Sequence, residues 1–130
     1  MLFRSGVTIN MEILNSRVDH SGYVGDTVDW GVALATAVDS PRVRVLFDIY
    51  HVQIMEGDVI RRFGAAAPWV GHVHTAGNPG RRDLDDGELH YPAIMRGVSE
   101  AGFRGYVGHE FFPAGDRRAG LARAFSLCDV

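Results

Sequence analysis

The chain has 130 residues, 46% of them hydrophobic and 22% charged, with a formal net charge of −3. This is a globular balance that offers no electrostatic basis for binding nucleic acid, and no apolar stretch reaches the roughly 18 residues that a membrane span needs. All 13 basic residues are arginine and Cys128 is the single cysteine, which excludes lysine Schiff-base chemistry, a Walker-type phosphate loop, an internal disulfide framework and a thiolate-rich zinc site.

Residues 7–15 (V-T-I-N-M-E-I-L-N) form an apolar run with the length and β-branched content of a buried strand. A polar, glycine-containing loop follows over 16–26, long enough to fold over a site at the strand end. Asp26 or Thr27 then caps a helix running to about Val38, with Trp30, Val32, Leu34 and Val38 among its apolar positions. Asp39, Ser40 and Pro41 stop it. A second strand over 43–51 (V-R-V-L-F-D-I-Y-H) leads into a helix from about Val52 to Phe63, with Ile54, Val59, Ile60 and Phe63 as its buried stripe and Gly64 ending it.

Trp69 opens a third strand over 70–77 (V-G-H-V-H-T-A-G), and residues 77–90 form the longest polar loop. A helix over 91–101 carries Pro92 in its first turn and stops at Gly102. A fourth strand over 106–113 (Y-V-G-H-E-F-F-P) and a helix over 116–127, with Cys128 just beyond, complete the pattern. Four βα units in succession predict an α/β fold with parallel strands and right-handed crossovers.

Residues two apart on a strand share a face, so each run has a mostly apolar face for the helices and a face carrying one ligand-type side chain near its C-terminal end. Those side chains are Glu12, Asp48, His74 and Glu110, which stand 36, 26 and 36 residues apart, close to one βα repeat. Taken singly, an acidic residue such as Glu12 near a strand end reads as a solvated or helix-capping group. Together, three carboxylates and one imidazole at equivalent strand ends describe a site for a divalent ion such as Mn²⁺, Mg²⁺ or Co²⁺. His72 shares the His74 face and is expected to support its ring or pack in the core. His109 has the opposite parity and is expected to pack against helices, with Gly71 placed on the same face as Val73. Glu88 either caps the next helix or reaches the pocket.

The stretches M-E-I-L-N-S-R-V-D-H-S-G-Y, F-D-I-Y-H-V-Q-I-M-E-G-D, G-H-V-H-T-A-G-N-P-G-R, G-E-L-H-Y-P-A-I and Y-V-G-H-E-F-F-P resemble hydroxypyruvate isomerase and its relatives in the xylose-isomerase-like superfamily of sugar isomerases and epimerases, which are TIM barrels. The resemblance implies a metal held by Glu12, Asp48, His74 and Glu110, with Glu12 and Glu110 also serving as the acid/base pair. It further implies that His51 and Arg81 hold oxygens of a small hydroxy-carbonyl substrate. Position 74 is His here, as in the ketose epimerases, where hydroxypyruvate isomerases often carry Gln, so isomerisation and epimerisation both stay open. A related barrel serves endonuclease IV-type hydrolysis, but with a larger His-rich multi-zinc cluster; a half-barrel kept as a non-catalytic scaffold is the other alternative.

A (β/α)8 TIM barrel needs about 250 residues, and this chain has strand signals for four of eight units. The six residues before Val7 are too few to hold the rest. The expectation is therefore a C-terminal half-barrel, residues 1–130, whose complement comes from a longer chain or, less favoured, from a second copy in a homo-oligomer. The lack of a signal-type N-terminus and of paired cysteines suggests a cytoplasmic setting.

Overall fold

The structure is a computed structural model that describes residues 5–130; the rest of the N-terminal stretch, 1–4, lies outside the described residues. Its centre is a parallel sheet in the order β1-β2-β3-β4, made of β1 (Ile9–Glu12), β2 (Val43–Asp48), β3 (Val70–Thr75) and β4 (Tyr106–His109). The helices are α1 (Val28–Val38), α2 (Ile49–Met55), α3 (Val59–Ala66), α4 (Tyr91–Glu100) and α5 (Arg117–Cys128). Consecutive strands are neighbours and all run the same way, as successive βα units require.

Val45, Phe47, Val73 and Ile13 are fully buried on the helix-facing side, which confirms the expected parity at these positions. Burying each such side chain contributes about 1.5–3 kcal/mol. Phe47 meets Phe63 of α3 edge-to-face at 5.2 Å between ring centroids, and Phe63 meets Phe103 in the same way at 5.8 Å. Thr27 caps α1 by accepting the Trp30 N–H, as anticipated. The face that α1 buries is Val28, Gly31 and Ala35, however, while Trp30 and Val38 are exposed. Gly31 lets the helix approach Met11 and Ile13 closely; a Cβ there would lie 3.2 Å from both side chains.

Several expectations are corrected. The single helix over 52–63 is two helices, because Asp48 caps α2 at once through its side chain and Gly57 and Asp58, both at positive φ, break the backbone before α3. Gly64 does not end α3, which continues to Ala66, and Ile60 is exposed. Gly71 does not join Val73: the β2–β3 register slips between Val45 and Leu46, and a Cβ on Gly71 would meet Asn10 and Arg44 instead. The strands are also shorter than the apolar runs, so that β4 ends one residue before Glu110.

The other face of the sheet carries Asn10, Glu12, Leu46, Asp48, His72 and His74 and is only partly covered. At the outer strands Ile9 and Tyr106 are exposed, as are Leu121 and Phe125 of α5.

Candidate metal centre

Glu12 closes β1, Asp48 closes β2, His74 is the penultimate residue of β3 and Glu110 follows β4 directly. In the register Asp48 lies opposite His74 and His74 opposite Gly108, with Glu12 one row back opposite Leu46. One ligand atom from each of Glu12, Asp48, His74 and Glu110 falls within 4.8 Å of the other three. From His74 Nδ1 the distances are 2.9 Å to Glu110 Oε2, 3.5 Å to Glu12 Oε1 and 3.8 Å to Asp48 Oδ2. All four residues singled out by spacing therefore meet at the carboxyl end of the sheet.

The chemistry of this set fits a divalent cation. Glu12 Oε1 and His74 Nδ1 are both buried, and neither makes a formed hydrogen bond. Buried polar atoms left so are rare and point to a missing partner. Asp48 divides its two oxygens between tasks: Oδ1 accepts the Tyr50 and His51 N–H groups at 2.8 and 3.2 Å, while Oδ2 faces the cluster. Gly108 makes room for the imidazoles, since a Cβ there would lie 3.1 Å from both His72 Nε2 and His74 Cδ2. His72, for which support of His74 and core packing were both open, stands edge-to-face against His74 at 5.0 Å between ring centroids.

Electrostatics separates the members of the cluster. The attraction of the His74 ring holds the Glu12 carboxyl below its ordinary value against the opposing effect of burial, and the same contact raises His74. Burial lifts Asp48 to about 6, with Arg81 pulling the other way. His51, fully buried, is lowered to about 4 by burial and then by Arg81, which keeps its ring neutral near pH 7.

Arg81 brings the only guanidinium that contacts the cluster among the described residues. Its Nη2 lies 2.7 Å from Glu110 Oε2 and 3.2 Å from Asp48 Oδ2, and its guanidinium carbon stands 5.3 Å from the centre of the Tyr50 ring. His51 Nε2 is 3.9 Å from Asp48 Oδ2 and has no hydrogen-bond partner, so it too faces the site. Glu88 is placed differently. It accepts from Asn78 and Gln53, fastening the loop rather than reaching the cluster, and α4 has no side-chain cap. His109 pairs with Thr75 Oγ1 at 2.7 Å and lines a small cavity with Met95, Phe125 and Cys128, as its parity implied.

Asn15, Asp19 and Tyr50, which spacing did not single out, adjoin the cluster through His51 and Arg81. Asn15, fully buried, meets His51 Nδ1 and donates to Asp19 Oδ2 at 2.7 Å; Tyr50 donates to the same oxygen at 2.8 Å. The only hint in the sequence was the polar Asn15 at the end of an apolar run.

The sequence profile of the family described as "Xylose isomerase-like TIM barrel" matches residues 1–127. The chain is 38% identical over 116 residues to a 2-oxo-tetronate isomerase of Cupriavidus necator, covering 89% of this chain and 44% of that protein. It is 34% identical over 120 residues to a putative hydroxypyruvate isomerase of Homo sapiens, covering 92% of this chain and 43% of the other. Among solved structures, an AP endonuclease, family 2, from Brucella melitensis superposes with a TM-score of 0.86 at 37% identity, over 93% of this chain and 46% of that one. The chain thus spans a little under half the length of the relatives it matches, and its four βα units correspond to half of a barrel. On these matches and this topology, the chain belongs to the xylose isomerase-like TIM barrel family.

Proposed function

We propose that this chain supplies the catalytic half of a metal-dependent isomerase or epimerase that acts on a small hydroxy-carbonyl compound, of the hydroxypyruvate or 2-oxo-tetronate kind, through an enediolate. The observation that carries this reading is the convergence of Glu12, Asp48, His74 and Glu110 at four strand ends, with Glu12 Oε1 and His74 Nδ1 buried and without a hydrogen bond. A divalent ion of the Mn²⁺, Mg²⁺ or Co²⁺ class, held by these four residues, would supply Lewis acidity to the substrate carbonyl.

The chain's own groups divide the remaining work. Glu12, kept ionised by the His74 ring, takes the proton from the carbon beside the carbonyl. Glu110, just beyond the far strand of the sheet, returns or relays a proton; delivery to the neighbouring carbon isomerises, and delivery to the opposite face of the same carbon epimerises. His51 is neutral and donates from Nε2 to a substrate oxygen. Arg81 offers a planar pair of donors to an anionic oxygen or carboxylate, and His72 holds the His74 ring in place.

The carboxylate majority in the cluster favours carbonyl chemistry over phosphodiester hydrolysis, which calls for a larger His-rich set. The exposed outer strands and the half-covered inner face support residues 1–130 as a C-terminal half-barrel that needs four further βα units. A single cysteine leaves no disulfide within the chain, which suits a reducing, cytoplasmic setting, and among the described residues no helix is long and apolar enough to cross a membrane. The decisive experiment measures metal content by elemental analysis and then deuterium exchange from solvent into hydroxypyruvate and a ketose. Exchange dependent on the metal and lost in Glu12→Gln is expected. An intact, metal-loaded protein that exchanges no small hydroxy-carbonyl compound would overturn the assignment.

A further inference from the structure

Glu110 is the one member of the cluster outside a strand, and β4 is paired only with β3 among the described residues. Beyond its own N–H, which donates to Thr75 O at 3.0 Å, the segment after β4 is held by the loop that follows β3. Phe112 N–H donates to Arg81 O at 2.8 Å, and Arg81 Nε donates to Glu110 O at 3.2 Å. Ala114 N–H donates to Asp83 Oδ2 at 2.7 Å. Asp83 is only 4% exposed, and its other oxygen accepts from Arg123 Nη2 of α5 at 3.1 Å, while Arg123 Nε reaches Asp85 at the same distance. The surrounding backbone is built around this carboxylate. A Cβ on Gly120 would stand 2.8 Å from Asp83 Oδ1, and a Cβ on Gly77 would collide with the Asp83 carbonyl oxygen.

We propose that Asp83, secured by Arg123, is a positioning residue for the metal centre. It staples the loop 77–90 to the segment 110–116 and so sets where Glu110 and Arg81 stand, without touching the cluster itself. The inference rests on the metal-centre reading above. A buried carboxylate is costly unless its partners stay in place, and here one partner is the backbone that carries a ligand, while the other is a guanidinium on a separate helix. Two elements remote from the reacting groups thereby decide the position of the fourth ligand.

The test uses the full chain with Asp83→Asn, Arg123→Ala and Arg123→Lys, each also in a Glu110→Ala background, and Co²⁺ as the probe. Calorimetric titration should show Co²⁺ affinity reduced about tenfold by Asp83→Asn, within the range for partners of metal ligands. The visible Co²⁺ band should shift toward that of Glu110→Ala, Arg123→Ala should follow in part, and Arg123→Lys should restore the wild-type band. With Glu110 already gone, Asp83→Asn should cost nothing further. An equal loss in both backgrounds would mean that Asp83 merely supports folding, and the proposal would fall. Amide exchange at Phe112 and Ala114 gives a reading independent of metal: it should quicken in Asp83→Asn while β2 and β3 stay protected, and unchanged exchange there overturns the staple. A wild-type chain that takes up no Co²⁺ would instead sink the metal-centre reading, with the staple then decided by the exchange data.

Discussion

Asn15 fixes the protonation of His51: its backbone N–H donates to His51 Nδ1 at 3.1 Å, and its side-chain Nδ2 lies 2.6 Å from the same atom. A nitrogen that accepts a backbone N–H carries no proton, so the hydrogen of the neutral ring sits on Nε2, the atom turned toward Asp48 Oδ2. The expected nitrogen NMR spectrum shows a pyridine-like Nδ1 and a protonated Nε2 at neutral pH. Asn15→Ala should leave the backbone donor but blur the tautomer, and should cost about 1–3 kcal/mol because the Val18 and Asp19 N–H groups lose the Asn15 Oδ1 acceptor. A protonated Nδ1 in the wild-type chain would contradict the donor role given to His51.

Asp48 and His51 should oppose each other in the acid stability of the metal-free chain. Asp48 is raised from 3.8 to about 6, so the folded form takes up a proton first and gains stability as the pH falls from 6 toward 3.8. His51 is lowered from 6.5 to about 4, so the unfolded form protonates first and the fold loses stability as the pH falls from 6.5 toward 4. Each effect is of the order of 3 kcal/mol. They nearly cancel in the wild type. Denaturant titrations across this window should show Asp48→Asn losing stability on acidification and His51→Phe gaining it; the same slope in both variants would refute the assignment.

Metal binding has its own pH dependence, since the ion needs the ionised carboxylate. Affinity for Mn²⁺ or Co²⁺ should fall as the pH drops through about 6, where Asp48 protonates. Asp48→Asn keeps the oxygen that caps α2 but removes the ligand charge. It should lower metal affinity by more than about 100-fold while the helical circular dichroism is retained.

Gly108 has room for a hydrogen but not comfortably for a methyl group, because the imidazoles of His72 and His74 both stand 3.1 Å from where a Cβ would lie. Gly108→Ala should push the His74 ring a few tenths of an ångström and weaken metal binding about tenfold, with Gly108→Val worse. Calorimetric titration of both variants measures this. Unchanged affinity in Gly108→Val would mean that His74 is not a ligand.

The open strand edges lead to a prediction about solution behaviour. Ile9, Tyr106, Leu121 and Phe125 are exposed on the outer strands and helix, where a barrel would bury them against further units. Light scattering on the isolated chain should show self-association, and co-expression with a complementary four-unit half should suppress it. A monodisperse monomer with a low affinity for apolar dyes would argue against the half-barrel.

Most of the cluster was legible in the linear order of residues because strand parity and the βα repeat are local rules. Glu12, Asp48, His74 and Glu110 could be set on one face by counting in twos, and their spacing of about one repeat placed them at equivalent strand ends. Those rules failed where the backbone departs from regularity: at Gly71, where the register slips, and at Gly57 and Asp58, where positive φ divides one expected helix into two. They also could not separate Glu88 from Arg81, two charged residues of the same polar loop. Only the folded loop turns Arg81 onto Glu110 and Glu88 onto Asn78.

What the amino-acid order determined by itself is the alternation of elements, the apolar face of each strand and the identity of the four ligand-type residues that meet at the end of the sheet, since hydrophobic period and residue chemistry act within a few positions. What only the tertiary structure decided is which polar atoms are deprived of water. The contact of Glu12 Oε1 with His74 Nδ1, neither of which makes a hydrogen bond, the proton placed on His51 by Asn15 and the Asp83–Arg123 tie all join residues distant in the chain. Burial and hydrogen-bond geometry exist only once those segments are packed together.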